Sequence, residues 1–87
     1  LQAIEFHPGE DNTMTCPFGV NSKGEIVGHY QRKGDQVRGY LYSEGKYVSI
    51  DVPDSTMTDA RSITDDGLIA GFYSDKSSKT HGFLMRR

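Results

Sequence analysis

Hydrophobic positions along this chain fall into short runs parted by polar, glycine-bearing turns, the pattern of β-strands joined tightly to one another. In "GVNSKGEIVG", from Gly19, two apolar runs flank an Asn-Ser-Lys-Gly turn, and Gly24 is placed for the positive φ that ends a hairpin loop. The polar stretch "QRKGDQV" and the turn "SEGK" around Gly45 mark two further reversals. The strands implied run roughly 17–21, 25–31, 37–43 and 46–52. Side-chain alternation grades them. In the second, Ile26 and Tyr30 point one way and Val27 the other, so both faces carry apolar groups. The fourth alternates cleanly, Val48, Ile50 and Val52 against Tyr47, Ser49 and Asp51, which predicts an outer strand with one wet face.

The same pattern then returns. "NSKGEIVGHY" from Asn21 is echoed by "TDDGLIAGFY" from Thr64, and an offset of 43 carries Gly24, Gly28 and Gly39 onto Gly67, Gly71 and Gly82. Ile26, Tyr30, Tyr40 and Leu41 fall on Ile69, Tyr73, Phe83 and Leu84, and "IEFHP" from Ile4 echoes "IDVP" from Ile50. The chain therefore reads as one all-β module of two four-stranded antiparallel units. The first spans about 16–53; the second spans about 59–87 and lacks a fourth strand, which residues 1–7 are expected to supply. Inner strands covered on both faces beside a half-wet outer strand describe a β-propeller-like blade, with the N-terminal strand staggered to protect an otherwise open edge. Two blades cannot enclose a channel, so the chain is expected to be part of a longer array or to assemble head to tail, three copies giving six blades. A single eight-stranded barrel is the alternative.

Composition adds bounds. With 87 residues there is room for one small domain, and the 34% hydrophobic content is offset by ten glycines, five tyrosines and four phenylalanines, a strand-and-turn composition. Ten basic against twelve acidic residues, with no long like-charge run, give no reason to expect nucleic acid or an anionic membrane as partner. No stretch approaches the roughly 20 apolar residues of a membrane-spanning helix. Cys16 is the sole cysteine, so an intrachain disulfide is excluded, and a packed thiol is the default for it.

Candidate chemistry is sparse. His7, His29 and His81 occupy different unit positions, no strand-to-helix nucleophile elbow is present, and Cys16 with His7 or His29 is a weak nucleophile pair, so no catalytic residues and no cofactor are assigned. "TDDG" at Thr64 supplies Asp65 and Asp66 but no further ligand at the spacing calcium loops need, and no zinc spacing exists; no metal site is expected. Gly28 and Gly71, in mid-strand, imply close backbone approach. Gly24, Gly28, Gly39, Gly67, Gly71 and Gly82 are therefore read as structural repeat positions. The candidate ligand-binding residues are Arg38, Tyr40, Tyr42 and His81, because sugar faces pack on aromatic rings while forked donors satisfy hydroxyls; core packing is the competing reading. The partners expected are a second copy or further repeats, then carbohydrate.

Together "GVNSKGEIVGHY", "RGYLYSEGKYVSIDVP", "SITDDGLIAGFY" and "THGFLM" resemble the HAF repeats of presumed extracellular bacterial proteins. The likeness covers about residues 18–87, with departures at Arg38, where the repeat has His, and Ser62, where it has Gly. It implies a propeller-like repeat protein that is secreted, periplasmic or on the cell surface, acting by structure or binding, with a lectin-like role as the alternative and no particular reaction.

Overall fold

The computed structural model describes residues 4–6, as a backbone strand, and residues 14–86. All regular structure there is antiparallel β: β1 (Ile4–Phe6), β2 (Met14–Val20), β3 (Ile26–Gln31), β4 (Arg38–Ser43), β5 (Lys46–Ile50), β6 (Met57–Ile63), β7 (Leu68–Ser74) and β8 (Thr80–Arg86). The strands divide into a five-stranded sheet, β1-β5-β4-β3-β2, and a three-stranded sheet, β6-β7-β8. They do not close into a single barrel.

Turn chemistry sets the hairpins. Gly24 and Gly67 adopt φ of 78° and 91°, the left-handed region that the turn requires and other residues resist. Each first strand is bulged at the same place: the register shifts between Pro17 and Gly19 in β2 and between Ala60 and Ser62 in β6. The bulge explains the mid-strand glycines. A Cβ on Gly28 would lie 2.0 Å from the Cys16 carbonyl oxygen, and one on Gly71 would lie 2.0 Å from that of Asp59.

Residues opposite one another in a ladder share a face, and the two sheets use their faces differently. The first sheet turns Val27, Leu41 and Ile50 toward the second, which answers with Ala60, Ile63 and Ile69 and the half-buried Phe83 and Met85. Complete burial of such side chains contributes about 1.5–3 kcal/mol each, so this single seam is the main apolar core. On the first sheet's other face Tyr30 and Tyr40 are buried among Ile26, Tyr42 and Tyr47. The second sheet's other face carries Ala70, Phe72 and Leu84, and Leu84 is 70% exposed.

Counting by 43 residues shows that the packing is head to tail. The face buried by the first sheet, with Val27 and Leu41, corresponds to the face exposed by the second, with Ala70 and Leu84. The face buried by the second, with Ile69 and Phe83, corresponds to the tyrosine face of the first.

Two expectations are corrected. The segment expected to complete the second unit instead adds to the outer edge of β5, pairing Ile4 with Ser49 and Phe6 with Tyr47; residues 1–3 and 7 lie outside the described residues. That edge belongs to the unit into which the segment leads. The expected wet face of the fourth strand is also covered: Ser49 is buried and receives the Tyr30 hydroxyl at 2.8 Å, while the Tyr47 ring lies 5.8 Å from that of Tyr40 and 4.7 Å from that of Tyr42.

Candidate functional site

The most developed polar arrangement is the seam between the two sheets. Edge strands β2 and β6 touch there so closely that a Cβ on Gly19 would lie 2.7 Å from the Arg61 carbonyl oxygen and 3.0 Å from the Ser62 Cα. Beside this contact the turn following β2 meets the turn following β6. Asn21 Nδ2 donates to the Thr64 carbonyl at 3.0 Å, and the Ser22 backbone N–H donates to Asp65 Oδ1 at 2.9 Å. Both bonds join positions 43 residues apart. The Ser22 N–H holds the Asp65 carboxyl below its ordinary range.

Asn21 is itself braced. Its Oδ1 accepts the Lys23 and Glu25 backbone N–H groups, and its Nδ2 also reaches Glu25 Oε1 at 2.7 Å. The carboxylate of Glu25 is buried and accepts the Ser43 hydroxyl at 2.8 Å, which ties the turn to the end of β4. Lys23, Glu25, Ser43 and Glu44 line an open depression of about 180 Å³. Thr64, at the position of Asn21, bonds within its own turn instead: its hydroxyl engages Asp66 and accepts the Leu68 N–H at 2.9 Å.

Further along the seam Asp59, 2% exposed, has Oδ2 held by Arg61 Nε at 2.9 Å. Its Oδ1 lies 3.3 Å from His29 Nδ1 in an alignment that leaves an electrostatic contact rather than a hydrogen bond. The Arg61 guanidinium stands 3.9 Å from the Phe18 ring centroid and 5.1 Å from that of Phe72, so one cation bridges aromatic residues of both sheets. Cys16 is opposite His29 across β2 and β3, and no side-chain hydrogen bond joins them.

The residues singled out for ligand binding are placed apart. Arg38, Tyr40 and Tyr42 share the tyrosine face of the first sheet. Arg38 is forked between Asp35, at 2.9 and 3.0 Å, and Asp51, at 2.7 Å. Those bonds raise the guanidinium's affinity for its proton and hold Asp35 below the usual carboxylate range. Tyr40 is 2% exposed, and burial pushes its phenol up to about 12. His81 belongs to the other sheet, where it stacks on Tyr73 and lies 2.8 Å from Asp75, whose carboxyl is depressed by that contact. The two acids of the turn after β6 are engaged as well, Asp65 by Ser22 and Asp66 by Thr64 and Arg86. Among the described residues no group of three or more His, Cys, Asp or Glu is arranged to hold a metal ion.

Sequence reasoning passed over Glu25, Asp59 and Arg61. The Asn21–Glu25 spacing across a tight turn was the available signal for the first. For the others there was none, since a charged residue beside a bulge reads as a solvated one. No family model, curated protein or solved structure matches the chain, so the likeness to HAF repeats rests on its motifs alone.

Proposed function

We propose that this chain is a non-catalytic β-repeat module, built of propeller-blade-like units, that works by stacking sheets and presenting their surfaces to a partner rather than by transforming a substrate. One observation carries the reading: the two turns bond to one another at equivalent positions, 43 residues apart, beside a contact between β2 and β6 that only a glycine at position 19 admits. Docking of one unit on the next by like positions is how repeat arrays propagate, each unit covering an apolar face that its neighbour cannot cover alone. The HAF-like motifs support the same reading and an exported setting.

The polar groups of the seam serve that role. Asn21 spans the gap, Glu25 orients Asn21, and Asp59 and Arg61 draw His29, Phe18 and Phe72 together.

Calorimetry tests the reading. The parent chain should unfold in one transition whose calorimetric and van't Hoff enthalpies agree, because each unit leans on the other. Gly19→Val, which drives three extra carbons into the Arg61–Ser62 backbone, should split or strongly lower that transition. An unchanged transition would sink the proposal, as would a hydrolytic or transfer activity lost on replacing His29 or His81.

A further inference from the structure

Three positions of the repeat carry different chemistry in its two copies, and the fold gathers all six side chains at the seam. The first unit has Cys16, Phe18 and His29; 43 residues on, the second has Asp59, Arg61 and Phe72. Within each sheet they are neighbours in the same way, Cys16 opposite His29 and Asp59 opposite Phe72, with Phe18 and Arg61 in the two bulges.

Sheets stacked face to face lie about 10 Å apart, so units related by a plain shift would keep equivalent backbone positions at least that far from one another. Here a Cβ on Gly19 would lie 3.0 Å from the Cα of Ser62, and the turns bond at equivalent positions. The second unit is therefore related to the first by a turn about an axis beside β2 and β6. Side chains near such an axis meet their own counterparts. Phe18 meets Arg61, its equivalent, with the guanidinium 3.9 Å from the ring centroid, and His29 meets Asp59, the equivalent of Cys16, at 3.3 Å.

We infer that these six residues decide which unit docks on which: the first unit accepts the second, whereas two second units reject one another. With a second unit in the first unit's place, the same two contacts would set guanidinium against guanidinium and the buried Asp59 carboxylate against the Phe72 ring. Like charges facing across an interface are costly, and a buried carboxylate that faces only a ring has lost a partner. Two first units would instead bring Phe18 against Phe18 and His29 against Cys16, which strands no charge. In the pairing observed, Asp59 has Arg61 Nε at 2.9 Å on one oxygen and the His29 ring beside the other, and the Arg61 guanidinium lies on Phe18. The seam of the first unit thus fits a unit that brings an acid and a guanidinium at these two positions, and selectivity comes from repulsion as well as attraction.

Transplanting the residues within the full chain tests this, with melting followed by calorimetry. Cys16→Asp, Phe18→Arg and His29→Phe together give the first unit the second unit's residues, and should lower Tm by roughly 10 °C or more or split the transition. Salt at roughly 1 M should recover part of that loss, because the opposed guanidinium groups are partly exposed. Asp59→Cys, Arg61→Phe and Phe72→His together do the reverse, and should keep one transition with Tm within about 5 °C of the parent. A smaller exchange guards against a transplant that merely fails to fold: Phe18→Arg with Arg61→Phe should melt above either single variant. Equal losses from the two transplants, or an exchange whose loss is the sum of the single ones, overturn the inference. It rests on the reading of the units as docked repeats, which Gly19→Val tests by itself. If Gly19→Val melts like the parent, that reading fails; if it does not and the two transplants behave alike, only the selectivity fails.

Discussion

β4 and β8 are nearly the same strand in sequence, Arg-Gly-Tyr-Leu-Tyr-Ser against His-Gly-Phe-Leu-Met-Arg, yet one is core and the other is surface. Nothing intrinsic to the side chains separates them. Leu41 is buried because β5 flanks its strand and the second sheet lies over its face; among the described residues Leu84 has neither cover. The edge strands β2 and β6 teach the same lesson in reverse. Glycine stands at position 19, where an added Cβ would lie 2.7 Å from the Arg61 carbonyl oxygen, and serine at position 62, whose side chain is exposed. Two positions 43 residues apart thus carry different residues in different surroundings.

The sharpest way to break the comparison is to truncate both leucines. Leu41→Ala should cost about 2–4 kcal/mol through lost burial and the cavity left behind, lowering Tm by about 10–20 °C in a domain of this size. Leu84→Ala should stay within about 0.5 kcal/mol. Equal costs in thermal or urea melts would mean that β8 is as covered as β4. Strands β2 and β6 give the next effect: Gly19→Ala should cost about 1–3 kcal/mol by overpacking, and Ser62→Ala should be neutral within about 0.5 kcal/mol.

The turns differ less. Asn21→Ala removes the bridge to Thr64 and one donor to the buried Glu25 carboxylate, and should cost about 1–3 kcal/mol in chemical denaturation. Thr64→Ala loses exposed contacts within its own turn and should cost clearly less. The smallest effect lies in acid. Because the Asp65 carboxyl is depressed below 3.8 in the folded chain, its contribution is fully present above that pH and is lost as pH falls through the lower folded value. Asp65→Asn should therefore unfold less steeply than the parent below pH 3.8, and parallel acid melts would show that the Ser22–Asp65 bond carries nothing.

Much of this fold was legible in the chain. The turns at Gly24 and Gly67, the β3 and β4 spans within a residue, and the need for glycine at positions 28 and 71 all follow from local chemistry, because each depends on the residue's own backbone or its direct ladder partner. What escaped depends on longer range. Alternation along β5 separates Tyr47 and Ser49 from Val48 and Ile50, but it cannot reveal that the tyrosines of β3 and β4 lie over the first pair. The same holds for β1, whose strand character could be read and whose partner could not. The candidate site fared less well: Arg38, Tyr40 and Tyr42 do share a face, but Arg38 is bonded to two aspartates and Tyr40 is buried, while His81 lies in the other sheet. Forked donors and aromatic rings serve a core as readily as a ligand, and residue type alone does not distinguish the two.

The difference in cover between two like strands can be measured directly by amide hydrogen exchange on the unmodified chain, comparing residues 38–43 with residues 80–86. The account predicts that β4, paired on both sides, exchanges only with global unfolding, while the outward amides of β8 exchange orders of magnitude faster, on the order of 10²-fold or more, through their open edge. Equal protection of the two strands would contradict it.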